Sequence, residues 1–211
     1  MNADLALIAA HIRSHPWVDD AQCGDGSVDV PGALVTLNAQ GIDALLHQGR
    51  AQLVDTFQAH VNSAGYAGAP LVWRLFDDMP MLTSPQQIDA LLQSPLPRDA
   101  SLLEEHQHDG EWTLALSIPL DLIYFPGHFP QAPILPGAVQ VAWALAFAAT
   151  RLGTPLRCNV MEALKFQQLM RPGDCADLTL RYDSERHKLH FAYRHGEKAY
   201  SSGRLAWSAT S

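Results

Sequence analysis

The 211-residue sequence predicts an α+β fold: a curved antiparallel sheet wrapped around one central helix, preceded by a small α/β domain. Three observations predict it. Strand-like runs at 157–168, 175–183, 188–195 and 198–208 follow one another through tight connections, as an antiparallel sheet requires. A single apolar run at 138–152 is long enough for one buried helix. Before about residue 94 the pattern instead alternates as helix–strand–strand–helix–strand–helix.

In that first part, Leu5, Ile8, Ala9 and Ile12 form an apolar stripe at helical spacing, so residues 3–14 should be helical until His15-Pro16 stops them. Strands are expected at 18–23 and 32–37, around a turn signalled by Asp25-Gly26. Asn38 can cap a helix that carries Leu45, Leu46, Leu53, Val54, Phe57 and Val61 on one face. A strand at 71–76 and a short helix after Ser84-Pro85 complete the domain, residues 1–93. Residues 94–101 are aperiodic and Pro-containing and read as a linker. The second domain, 102–211, opens with a hairpin turning at Asp109-Gly110.

Composition narrows the function. A formal net charge of −8 argues against nucleic acid or an anionic membrane as the main partner. Cys23, Cys158 and Cys175 are scattered, without metal-ligand spacing, so neither a disulfide framework nor a zinc site is expected. The N-terminus reads as an amphipathic helix, not a signal peptide, and no apolar run reaches the ~18 residues of a membrane span. A cytoplasmic protein without metal or cofactor is expected.

Chemistry concentrates between residues 124 and 148. His128 stands in a Pro/Gly-rich loop between Gly127 and Phe129, and the loop runs through Pro130, Pro133 and Pro136 into Gly137. Such a histidine near a helix start can pair a titratable base with backbone N–H groups that polarise an oxygen; it can equally be a merely hydrogen-bonded loop residue. Phe125 and Phe129 flank it, and Gln140 and Trp143 follow on the helix. Arg171 could meet a phosphate or only decorate a turn. His187, His190 and His195 lack carboxylate or Cys partners for a metal, and Asp77-Asp78 reads as a solvated turn.

Two stretches carry a family resemblance. One is Gly127-His128-Phe129-Pro130 followed after two residues by Pro133-Ile134-Leu135-Pro136-Gly137; the other is Lys165-Phe166 followed by Arg171-Pro172-Gly173-Asp174. Together they make residues 102–211 resemble the hotdog-fold beta-hydroxyacyl-acyl-carrier-protein dehydratases (FabA/FabZ-like). Leu135 to Gln140 before Trp143 is similar to the type associated with aryl polyene and pigment clusters. The resemblance implies a homodimer that takes acyl-carrier-protein or acyl-CoA thioesters without a cofactor. His128 would be the base and the Gly137 N–H would bind the thioester oxygen; Phe125, Phe129, Gln140 and Trp143 would line the substrate site. A helix carboxylate would complete the site, but its position holds Ala142, and no acid occurs anywhere in 138–150. Glu162 is the nearest acid downstream. Three readings stay open: a dehydratase of fatty acid or polyene synthesis with impaired turnover, a non-catalytic pseudo-dehydratase that binds a carrier or partner, and a thioesterase.

Residues 1–93 resemble the small C-terminal domain of adenylate-forming AMP ligases. The family segment D-x-L-P-x-T-x-S-G-K-I-D is matched by the run from Asp78 through Asp89, with Gln86-Gln87 in place of Gly-Lys. A neutral amide cannot replace the lysine's charge, so this domain is expected to be non-catalytic.

Overall fold

The computed structural model describes residues 3–27, 30–66, 70–128 and 132–207. The chain divides into two compact units, 1–98 with 119–133, and 99–118 with 134–211. The segment 119–133, which the sequence assigns to the second domain, thus groups with the first. Its Leu120 is buried in the first unit's core, and its Asp121 is bonded to Arg50 and to the Leu75 N–H.

The first unit has the expected element order. Helix α1 (Ala3–Arg13) buries Leu5, Ala9 and Ile12. Strands β1 (Val18–Ser27) and β2 (Val30–Leu37) pair antiparallel, and β3 (Val72–Phe76) joins β2 in parallel after helix α2 (Ala39–Ser63). A parallel neighbour needs such a crossover, whereas β1 and β2 need only a turn. The Asn38 side-chain oxygen accepts the Gln40 and Gly41 N–H groups at 3.0 Å each and so starts α2. The sequence predicts one unbroken helix there, but Gly49 interrupts it at φ 78°, ψ 166°, a backbone state open to glycine and strained for other residues. Helix α3 (Pro85–Gln93) lays Ile88 and Leu92 against Leu34.

The cysteines give a test of this unit. Cys23 is a buried residue of β1, and burial pushes its thiol up to about 12, against an opposing pull from Arg13. Cys175 is exposed and Cys158 partly so. At pH 8, titration of the native protein with a disulfide reagent should modify Cys175 quickly and leave Cys23 unmodified until denaturant is added. Fast reaction of Cys23 in the native state would contradict its placement.

In the second unit, β4 (Ser101–His108) and β5 (Glu111–Ser117) form the expected hairpin. Asp109 and Gly110 take φ 47° and 78°, the two positive values of the hairpin turn that suits the strands' twist. Helix α5 (Gly137–Leu152) ends at Gly153 in the left-handed region. Strands β6 (Val160–Phe166), β7 (Cys175–Asp183), β8 (Lys188–His195) and β9 (Lys198–Ala206) complete an antiparallel sheet in the order β4-β5-β7-β8-β9-β6. Alternate residues such as Leu114, Leu116, Leu178, Leu180 and Phe191 are buried, as are Val141, Trp143, Ala144 and Ala148 of α5. Each such side chain contributes about 1.5–3 kcal/mol by leaving water. The layout is the hotdog arrangement of a sheet around one helix.

Candidate active site

The histidine loop is built within the first unit. Leu120, Asp121 and Leu122 are buried, the Ile123 N–H donates to the Pro97 carbonyl at 3.0 Å, and the Phe125 N–H donates to the Leu122 carbonyl at 3.1 Å. These bonds lead into the single-turn helix α4 (Phe125–His128). Phe125 is buried. His128 ends α4; what the sequence expects of its imidazole, and of Phe129, lies outside the described part of the chain.

The other expected residues belong to the second unit. The Leu135 N–H donates to the Met170 carbonyl at 2.8 Å, which fixes the approach to α5. Gly137 is the first helical residue, and the Pro136 carbonyl accepts the Val139 N–H at 3.0 Å. A Cβ at Gly137 would run into the Phe166 ring, so the glycine lets that ring lie over the helix start while staying 52% exposed. Lys165-Phe166 had only motif value in the sequence; the ring's position gives it a physical one.

Gln140 is expected at the substrate, but its amide is engaged inside the unit. It is 3% exposed, its nitrogen donates to the Leu135 carbonyl at 3.3 Å, and its side-chain oxygen accepts the Ser201 hydroxyl at 2.6 Å. The Tyr193 hydroxyl donates to the Gln140 backbone carbonyl at 2.9 Å, and burial pushes the Tyr193 phenol well above its ordinary range, so it stays a donor. Trp143 is buried too, with one edge on a cavity of about 360 Å³ that Ala100, Phe147 and Arg151 also line. Ala142 points the other way. It is exposed, and so are Ala138 and Ala146 at helical spacing on either side of it.

Glu162 does not stand in for the missing acid. Both its oxygens accept from the Lys188 ammonium at 2.9 Å, and Arg204 lies 3.5 Å away. The Lys188 hydrogen bond, reinforced by the charges of Lys188 and Arg204, holds its carboxyl below the usual range, so it stays ionised and has no proton to give. Asp174 is likewise structural. It accepts the Arg171 N–H at 2.7 Å, pairs with Lys198 at 3.3 Å, and closes a turn in which Gly173 takes φ 79°. Among the described residues no group of three or more His, Cys, Asp or Glu side chains could hold a metal ion, and no helix is long and apolar enough to cross a membrane.

Comparison with known proteins bears on the second unit. Residues 104–204 match the ApeI-like family, described as ApeI dehydratase. A 3-hydroxyacyl-[acyl-carrier-protein] dehydratase FabZ of Oleidesulfovibrio alaskensis is 34% identical over 107 residues, 46% of this chain and 67% of the relative. Among solved structures, the dehydratase heterocomplex ApeI:P from Xenorhabdus doucetiae is similar at 29% identity and a TM-score of 0.48, over 51% of this chain and 96% of that one. An uncharacterized protein from Erwinia carotovora subsp. atroseptica gives 30% identity and a TM-score of 0.45, over 51% and 94%. Hotdog layout, GHFP and PGD motifs and a FabZ relative matched over two thirds of its length converge: the chain belongs to the family of FabZ-related dehydratases.

Proposed function

We propose that the chain binds 3-hydroxyacyl or trans-2-enoyl thioesters of an acyl carrier protein or CoA and interconverts them slowly, with His128 as the base. His128 takes the proton alpha to the thioester carbonyl. The Gly137 N–H stabilises the charge that develops on the carbonyl oxygen, the C=C bond forms, and the beta-hydroxyl leaves as water after taking a proton. Kinship with a FabZ dehydratase carries this reading. Ala142 qualifies it: without the helix acid the departing hydroxyl must take its proton from water, and such a loss commonly slows a reaction about 10²–10⁴-fold. The functional unit is a homodimer.

The same vacancy favours a second reading, a pseudo-dehydratase that binds an acylated carrier or partner without turnover. Thioesterase action is a third product of the same groove. Residues 1–93 are a non-catalytic domain resembling the C-terminal domain of AMP ligases. In support, Gln87 accepts from the Thr83 N–H at 2.7 Å and the Ser84 N–H at 3.2 Å, so it caps α3 and presents no cation.

One assay separates the readings. The protein is offered both thioesters on carrier protein and on CoA, and enoyl formation, hydration and thiol release are followed. Interconversion lost in His128→Ala supports the lyase, thiol release supports the thioesterase, and carrier binding without either supports the pseudoenzyme. Interconversion unchanged in His128→Ala removes the base assignment.

A further inference from the structure

Seven residues before His128, at the start of its loop, stands Asp121, which is 3% exposed. One carboxylate oxygen accepts from Arg50 Nε of α2; the other accepts the Leu75 N–H of β3 at 3.2 Å and lies 3.4 Å from Arg50 Nη2 and 3.5 Å from Arg74 Nε. The two guanidiniums are themselves tied down. Arg50 Nη2 donates to the Trp73 carbonyl at 2.7 Å, and Arg74 Nη1 donates to the carbonyls of Leu91 at 3.0 Å and Ser94 at 2.8 Å. The break in α2 at Gly49 comes immediately before Arg50.

A buried ion cluster is a poor way to gain stability, because an apolar cluster of the same volume commonly does as well. What it adds is direction: a carboxylate hydrogen-bonded to an anchored guanidinium and a backbone N–H, with the Arg74 charge beside it, has one position. Beside it, Leu120 fills the first unit's core, and two residues on, the Ile123 N–H is bonded to Pro97. The loop that leads to His128 is therefore fixed by elements of the N-terminal fold.

We infer that Asp121 is a positioning residue: held beside Arg50 and Arg74, it makes the N-terminal elements of residues 1–98 the mount of the histidine loop. The inference rests on the reading of His128 as the base, and its test reads the loop directly as well as the chemistry.

The full-length chain is compared with Asp121→Asn, with the milder Arg50→Gln, and with Ile88→Ala, which opens a cavity in the separate Leu34–Ile88–Leu92 cluster of the same unit. Amide hydrogen exchange is followed in peptides covering residues 120–128, at denaturant concentrations that equalise global stability. Asp121→Asn should speed exchange there about tenfold and Arg50→Gln severalfold, with Ile88→Ala at the wild-type rate. Thioester turnover should fall in kcat about tenfold in Asp121→Asn, with KM changed less than about twofold, since the lost interaction aligns the base without touching substrate. Unchanged exchange in Asp121→Asn, an equal rise in Ile88→Ala, or a loosened loop with undiminished kcat would each overturn the inference. If the wild type turns nothing over, the reading of His128 fails by itself and the exchange result still decides whether Asp121 mounts the loop.

Discussion

An Ala142→Asp variant will interconvert 3-hydroxyacyl and enoyl thioesters about 10²–10⁴ times faster than the wild-type chain. Position 142 lies five residues beyond Gly137, about one and a half helical turns into α5. The new carboxyl should be harmless to the fold. Ala142 is exposed, so the charge needs no burial, and the loss of helix propensity is only about 0.5 kcal/mol. Chromatography of the thioesters against time measures the gain. Ala142→Asn, of similar shape but with no acidic proton, should stay near wild type, and adding His128→Ala to Ala142→Asp should erase the gain. A folded Ala142→Asp protein no faster than wild type would mean that this is not where the family's acid has been lost.

Arg74→Met will cost the first unit about 3–5 kcal/mol, read as a lower urea midpoint. Arg74 is 5% exposed and sits at the crossing of several buried groups. Its loss takes donors from the Leu91 and Ser94 carbonyls and leaves Asp121 to Arg50 and the Leu75 N–H alone. Burial lowers the Arg74 pKa, Asp121 opposes that and Arg50 adds to it, yet a guanidinium starts high enough to remain cationic through neutral pH. Arg74→Lys should recover only part of the loss, because one ammonium cannot span the same acceptors. A drop of less than about 1 kcal/mol would show that the cluster is not a working part of this core.

The parts of the fold that local chemistry specifies were legible in the sequence. Asp109-Gly110 announces its hairpin because few other pairs take two positive φ values cheaply. The long helix follows from its apolar run, and the strand pattern of the second unit from its alternation. Gly49 was missed because a glycine within a helical stripe is compatible with an unbroken helix, and nothing nearby signals that this one breaks it. The Asp121 clamp was invisible for a different reason: its partners Arg50 and Leu75 are 71 and 46 residues away, and no periodicity relates such positions. The same holds for Gln140. Its polar side chain near the histidine loop suggested a ligand contact, while its partner Ser201, 61 residues away, uses it as a buried strut. The expectation that position 142 is where the family carries its helix acid came from counting along the helix, and α5 spans that position.

The discontinuous first unit also has a consequence for how the chain is made. Residues 1–98 leave the ribosome before the β4–β5 hairpin, yet Leu120, which completes their core, and Asp121, the shared counter-ion of Arg50 and Arg74, follow only after it. During synthesis the early product thus carries two arginines drawn toward a core with no counter-ion, a state that exposes apolar surface and invites wrong partners. A fragment cut at residue 98 would be held in that state permanently, so separating the chain at its linker would yield an unfinished domain.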